Sequence, residues 1–164
     1  MLRAFKLFLG THKDYVLHIY GDGDKRDSLI DLAKTLNISD SVVFEGNVPD
    51  LHERIKSARM FVLSSDYEGI LNSLLEALAM GLPSISTDCP CGGSRLLIED
   101  GVSGFLTPIN DEVVFSNAMK KIAESTDLAI SLLQKAISVR ILYSEEKIIG
   151  KYFDYMSTVK RNFD

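Results

Sequence analysis

No apolar run in this 164-residue chain approaches the roughly 18 residues of a membrane-spanning helix, so no integral span is expected. Cations are also few: 18 Lys and Arg stand against 23 Asp and Glu, a net charge of −5. Phosphate backbones are bound by clustered Lys and Arg, so nucleic acid is not an expected partner. There are two cysteines, Cys89 and Cys91. Strand positions i and i+2 share a face, which makes a metal or redox role conceivable. No second Cys or Cys/His pair completes such a site, and both thiols are expected to be structural or incidental in a reducing cytosol. The three histidines, His12, His18 and His52, share no carboxylate context in the sequence and read as structural or surface residues. Asp22 and Asp24 have D-x-D spacing but fall in a glycine turn, so no metal is expected. No repeat, low-complexity stretch or linker divides the chain, and one domain over 1–164 is expected. The amino-terminal MLRAFKLFLG is too short, and too interrupted by Lys6, for a signal sequence.

Helical and strand patterns alternate along the chain. Leu2, Phe5, Phe8 and Leu9 have helical spacing. VLHIY (16–20) reads as a strand ending in the turn GDGD (21–24), and KRDSLIDLAKTL (25–36) as a helix. VVF (42–44) is a short strand, EGNVPD (45–50) a loop, and LHERIKSA (51–58) a helix with Asp50 as its N-cap. MFVLSS (60–65) reads as a fully buried strand. Asn72 to Met80 is a helix closed by Gly81 and Pro83. PSIST (83–87) and GFLTP (104–108) are strands on either side of the CPCGG loop and a short helix. Helices over roughly 111–124, 127–142 and 145–159 finish the chain. Such alternation predicts an α/β, Rossmann-like, doubly wound parallel sheet, with ligands at the carboxyl ends of the strands. A doubly wound domain normally begins with a strand and this chain begins with a helix, so its first strand is expected to be missing.

The densest chemistry lies in SSDYEGILNSLLEALAMGLP (64–83). Glu68 and Glu76 are eight positions apart, which in a helix is about 12 Å. A glycosidase pair flanks one bond at about 5–10 Å, so these carboxylates do not suit that role. They suit two separated groups of one long ligand, because each carboxylate accepts two hydrogen bonds from a hydroxyl pair. Between them, near Leu71, Asn72 and Ser73, a helix begins, and its free N–H groups and dipole favour an anion. Sugar, diphosphate and ribose of a nucleotide sugar match that order. From spacing alone a second reading stays open, with Glu68 as a surface cap and Glu76 as a solvated helix residue.

This segment resembles the signature of family 4 of the retaining glycosyltransferases, a Glu, seven residues and a second Glu heading an EA-hydrophobic-A-x-G-x-P run, here EALAMGLP. YGDGDKRDSLIDLAKTLNISDSVVFEGNV (20–48) resembles the family's G-x-G turn, helix and nucleotide loop. CPCGGSRLLIEDGVSGFLTP (89–108) resembles its later Gly-Gly loop. GDGD alone is a weak signal, lacking the third glycine of the dinucleotide fingerprint. The resemblance implies the C-terminal, donor-binding half of a GT-B enzyme. It implies that Glu68 lies near the transferred sugar and donor phosphate. The backbones of Gly69, Ile70 and Leu71 would meet sugar hydroxyls, Asn72 and Ser73 would bracket the diphosphate, and Glu76 would bind the ribose. Gly46, Asn47 and Val48 would meet the base, and Gly23 would let the backbone approach the ligand. For such enzymes the usual mechanism is leaving-group stabilisation with front-face attack, not a Glu68 nucleophile. No cofactor is implied beyond the nucleotide-diphosphate sugar itself.

The chain departs from the family in two ways. Nothing in residues 1–9 matches the basic pair that family members carry in and after the first strand of this domain. Lys25 and Arg26 follow the G-x-G turn and are poor replacements. The acceptor-binding N-terminal domain is also not in the chain, so transfer by this chain alone is not expected. The terminal segment 145–164 is expected either to pack as ordinary core or to dock on that absent domain. The resemblance places the full enzyme in surface polysaccharide biosynthesis, in the cytoplasm, with peripheral contact at the inner face of the membrane as an option. Two alternatives remain: a non-catalytic nucleotide-sugar-binding fragment that needs a partner chain, and a GT-B-like nucleotide-sugar epimerase.

Overall fold

The computed structural model describes residues 1–67, 71–90 and 92–161. Helix α1 (Leu2–Leu9) forms because Leu2, Ala4, Phe5 and Phe8 fall on one stripe, and all four are buried. The ring of Phe8 stacks on His12 at 4.6 Å and meets Tyr15 edge-on at 5.0 Å, which fixes the chain before the first strand. Next come β1 (Leu17–Tyr20), α2 (Arg26–Thr35), β2 (Val42–Gly46), α3 (Leu51–Ile55) and β3 (Phe61–Leu63). They are followed by α4 (Asn72–Ala79), β4 (Ser84–Thr87), α5 (Gly93–Leu97) and β5 (Phe105–Thr107). The chain ends in α6 (Glu112–Glu124), α7 (Thr126–Ala136), α8 (Val139–Leu142) and α9 (Glu145–Arg161).

All strand pairings among these elements are parallel, as the alternating pattern predicts. Instead of one continuous sheet they form two. β1 pairs with β2, Leu17 opposite Val42, and a separate sheet has the order β3-β4-β5. The two sheets share their covering layers. On one face, α1, α2 and α6 contribute Phe5, Phe8, Ala33, Phe115 and Ile122 to a core with Leu17, Val42 and Ile85, against which Val62 also packs. On the other face, Ile55, Ala77 and Leu82 form a small core that receives Tyr20 of β1 and Phe61 of β3. A second cluster there joins Leu74 and Leu78 of α4 to Ile98, Ala136 and Val139.

The split corrects one expectation. Phe61, Val62 and Leu63 are half-buried, not fully buried, because β3 pairs on one side only. The fully buried strand is β4, whose four residues Ser84–Thr87 are all enclosed. Its hydroxyls are satisfied internally. Ser84 Oγ donates to the Leu82 carbonyl at 2.8 Å, and Ser86 Oγ meets Ser94 Oγ at 2.9 Å. Ser94 Oγ also bonds the Thr87 carbonyl at 2.8 Å, which ties α5 to the carboxyl end of β4.

Helix α4 ends as its sequence signals. Gly81 adopts φ +81° and donates to the Leu78 carbonyl at 2.9 Å, and Leu82 donates to Ala77 at 3.0 Å, the paired bonds of a Schellman ending. The helix expected over 127–142 is instead two helices, broken at Ile137 and Ser138 between α7 and α8. Asp50 does not cap α3 with its side chain. Its carboxylate accepts from Arg54 Nε at 2.9 Å, and this bond holds it below the usual carboxylate range. Ordinary core packing of the terminal segment is also overturned. Ile148, Ile149, Tyr152, Phe153, Tyr155 and Met156 of α9 are all exposed, Phe153 at 65%.

Candidate functional site

The described sequence-predicted residues lie at the carboxyl ends of β1 and β2 and in the first turns of α4. At the tip of β1 the turn Gly21–Asp24 is tied to the end of β2, since Gly21 N–H donates to the Gly46 carbonyl at 2.8 Å. Gly46 has φ +68°, a conformation an L side chain rarely adopts. A Cβ added at Gly23 or Gly46 would meet nothing within 4 Å, so both backbones face open space that a ligand can approach. Asn47 and Val48 continue from Gly46 in the loop that leads to α3.

Helix α4 starts at Asn72 behind the buried Leu71, whose side chain offers no cap. The first N–H groups of a helix have no partner within it, so Asn72 and Ser73 present the positive end of the helix dipole. One turn further on, Glu76 Oε2 lies 3.1 Å from His52 Nε2 of α3. Packing of Ala77 with Ile55, joined by Leu51 and Tyr20, holds α3 and α4 together beneath that pair. Glu76 is thereby tied to α3, the helix into which the loop carrying Gly46, Asn47 and Val48 leads. Glu68, Gly69 and Ile70 lie outside the described residues, as does Cys91; Cys89 is buried.

A charged network joins β1, β2 and α3. His18 Nδ1 lies 2.8 Å from Glu45 Oε1, and Arg54 lies 3.6 Å from Glu45 and 2.9 Å from Asp50. Burial and the Glu45 carboxylate raise the Tyr20 phenol above its ordinary pKa, partly opposed by Arg54. The hydrogen bond to Asp50 in turn raises the Arg54 guanidinium. The histidines are therefore not without carboxylates: His12 faces Glu124 at 3.5 Å, His18 faces Glu45, and His52 faces Glu76. Sequence reasoning missed these contacts because the partners are distant along the chain. Only the fold brings His52 to Glu76, 24 positions away.

A cavity of about 350 Å³ lies elsewhere, between α5 and α7–α8, lined by Leu96, Val102 and Tyr143 among others. It contains none of the predicted residues. A smaller one of about 180 Å³ lies at the carboxyl ends of β3, β4 and β5, among Met1, Ser64, Asp66, Thr87 and Glu112. No group of three or more His, Cys, Asp or Glu is arranged for a metal among the described residues. Among them, too, no helix is long and apolar enough to cross a membrane.

Residues 1–138 match the family model described as glycosyl transferases group 1. The chain belongs to that family. It is 30% identical over 143 residues to the lipopolysaccharide core biosynthesis glycosyltransferase LpsE of Rhizobium meliloti, covering 87% of this chain and 42% of that protein. The fold of this group 1 domain superposes on TarM of S. aureus, crystallised with fondaparinux, alpha-GlcNAc-glycerol and UDP. The TM-score is 0.86 at 24% identity, over 93% of this chain and 31% of TarM. It also superposes on the C-terminal domain of the group 1 protein LpcC from Francisella tularensis, with TM-score 0.76 at 18% identity, over 87% of this chain and 76% of that domain. The architecture is thus that of a GT-B half-domain. The chain spans less than half the length of the curated relatives it matches.

Proposed function

We propose that this group 1 domain binds the nucleotide-diphosphate sugar of a retaining, family 4 glycosyltransferase that acts in surface polysaccharide biosynthesis. In this reading the uncapped start of α4 at Asn72 and Ser73 receives the diphosphate. Glu76 accepts hydrogen bonds from the ribose hydroxyls, and Gly46, Asn47 and Val48 meet the base. Gly23 leaves room for the ligand. Glu68 stands beside the transferred sugar, with the backbones of Gly69, Ile70 and Leu71 on its hydroxyls. The observation that carries the reading is the junction of α3 and α4, where Glu76, one turn from the start of α4, contacts His52 of the helix that follows the Gly46 loop. Retention is assigned to leaving-group stabilisation with front-face attack, in which the helix dipole supports charge developing on the departing diphosphate.

The acceptor is assigned to a second domain of a longer protein, and the present chain is proposed to bind donor without transferring it. Glycosyl transfer by the 164-residue chain alone would overturn that assignment. The donor reading is tested by thermal denaturation with UDP, GDP and ADP. A ligand at about 100 times its Kd stabilises by roughly 2.7 kcal/mol, so even millimolar binding registers. One nucleotide raising Tm above the others supports the reading and names the base. Equal, negligible shifts for all three oppose it.

A further inference from the structure

The cavity of about 180 Å³ at the carboxyl ends of β3, β4 and β5 takes no part in the proposed donor site. Met1, Ala4 and Phe115 form one wall, so it lies on the face covered by α1 and α6. Helix α4, with Asn72, Ser73 and Glu76, packs on the opposite face. Strand alternation fixes which side chains turn towards the cavity. Ile85 and Phe105 pack into the core under α1 and α6, and Leu106 packs into the opposite one. Thr87 and Thr107, each two positions further along and paired with each other, therefore turn to the α1–α6 face. Thr87 lines the cavity, and its hydroxyl donates to the Ser65 carbonyl. Thr107 beside it is 1% exposed, and its hydroxyl has no hydrogen-bond partner among the described residues. A buried hydroxyl left unpaired costs free energy, so one set beside a polar cavity points to a partner that enters the cavity.

The walls say what chemistry that partner has. Ser64, Asp66, Asn110 and Glu112 border the cavity beside the apolar Ala4 and Phe115. Two carboxylates repel an anion, so the cavity does not suit a phosphate. No group of three His, Cys, Asp or Glu is arranged there for a metal among the described residues. Carboxylates accept hydrogen bonds, and so suit a neutral ligand rich in hydroxyls. The volume is about tenfold or more the roughly 10–15 Å³ that one water needs, so a lone water does not fill it. Tyr67 follows Asp66 directly and is 81% exposed. An aromatic ring there offers an apolar face to the carbons of a sugar ring while the carboxylates take its hydroxyls. We propose that this cavity is a subsite for one pyranose unit of an acceptor saccharide, with Tyr67 stacked on the ring and Asp66, Glu112 and Thr107 on its hydroxyls. The assignment to an acceptor rests on the donor reading: diphosphate and ribose are placed on α4, across the sheet, and the chain runs from Tyr67 through Glu68 to reach it.

Titration with methyl glucoside, methyl galactoside and methyl N-acetylglucosaminide, followed by amide NMR, tests the subsite without any nucleotide and so apart from the donor reading. At least one glycoside is expected to shift the Asp66, Thr87, Thr107 and Asn110 amides. Tyr67→Ala is expected to weaken that binding by about threefold to tenfold, and Tyr67→Phe to leave it unchanged, since stacking needs only the ring. Thr107→Val is expected to weaken binding by about threefold without lowering Tm, because the free protein loses only an unpaired hydroxyl. No shift with any of the glycosides overturns the proposal. So does a loss in Tyr67→Phe equal to that in Tyr67→Ala, or undiminished affinity in Thr107→Val. UDP-glucose, GDP-mannose and ADP-glucose, each beside its nucleotide, then separate the two sources of a pyranose. A glycoside that stays bound when they are added supports the acceptor assignment. Displacement by a nucleotide sugar but not by its nucleotide makes the occupant the donor's own sugar and overturns it. Failure of every nucleotide to bind counts against the donor reading alone, while the glycoside shifts still decide the saccharide subsite.

Discussion

Nε2 of His52 lies 3.1 Å from Oε2 of Glu76, a link between α3 and the middle of α4. Both side chains are more than one-third exposed, at 63% and 50%, so the pair contributes little to folding. It orients one carboxylate oxygen, and in the proposed function the other is left to the ribose. His52→Ala is predicted to weaken nucleotide binding by about threefold to tenfold, the size of one hydrogen bond in partial contact with water, with little change in Tm. Calorimetric titration of the variant checks this, and undiminished affinity would remove His52 from the account.

Gly104 lies at the start of β5 against the buried strand β4. A Cβ there would stand 2.8 Å from the Ser84 carbonyl oxygen and 3.1 Å from Ile98 Cδ1. The first contact is with backbone, which cannot rotate away. Gly104→Ala is predicted to cost about 1–3 kcal/mol, a Tm loss of several degrees by calorimetry. Gly23→Ala, by contrast, meets open space and is predicted to leave Tm almost unchanged.

Elements long enough to show a period were legible in the sequence. The stripe Leu2, Phe5, Phe8 gave α1, and Gly81 with Pro83 marked the end of α4. Parallel alternation followed from helices between short apolar runs. The division into two sheets was not legible, because pairing depends on what lies beside a strand and MFVLSS reads the same at an edge or a centre. The break between α7 and α8 was hidden for a related reason: Ile137 and Ser138 carry no Gly or Pro, and tertiary packing decides the turn. At the site, Glu76 and the Gly46 loop were visible as motif residues. His52 was not, since only the packing of Ile55 against Ala77 brings its helix alongside.

Ser116, buried inside α6, has a hydroxyl with no hydrogen-bond partner among the described residues. Ser94, equally buried, bonds both Ser86 and the Thr87 carbonyl. The two sites predict opposite outcomes for the same substitution. Ser116→Ala is predicted to stabilise by about 1 kcal/mol, through removal of an unpaired polar group and a gain in helix propensity. Ser94→Ala is predicted to destabilise by about 1–3 kcal/mol, because it strips partners from buried acceptors. Urea denaturation midpoints of both variants decide the matter.

The central claim is that the carboxylate of Glu76 holds the ribose of a nucleoside diphosphate whose phosphates rest at the start of α4. The most direct measurement is isothermal calorimetry of UDP, the nucleotide crystallised with TarM, on the wild-type chain and on Glu76→Ala. The account predicts binding to the wild type and a loss of about tenfold to a hundredfold in the variant, as expected when hydrogen bonds to a charged acceptor are removed. Equal affinity in both proteins, or no binding of UDP, GDP or ADP by the folded wild type, would contradict it.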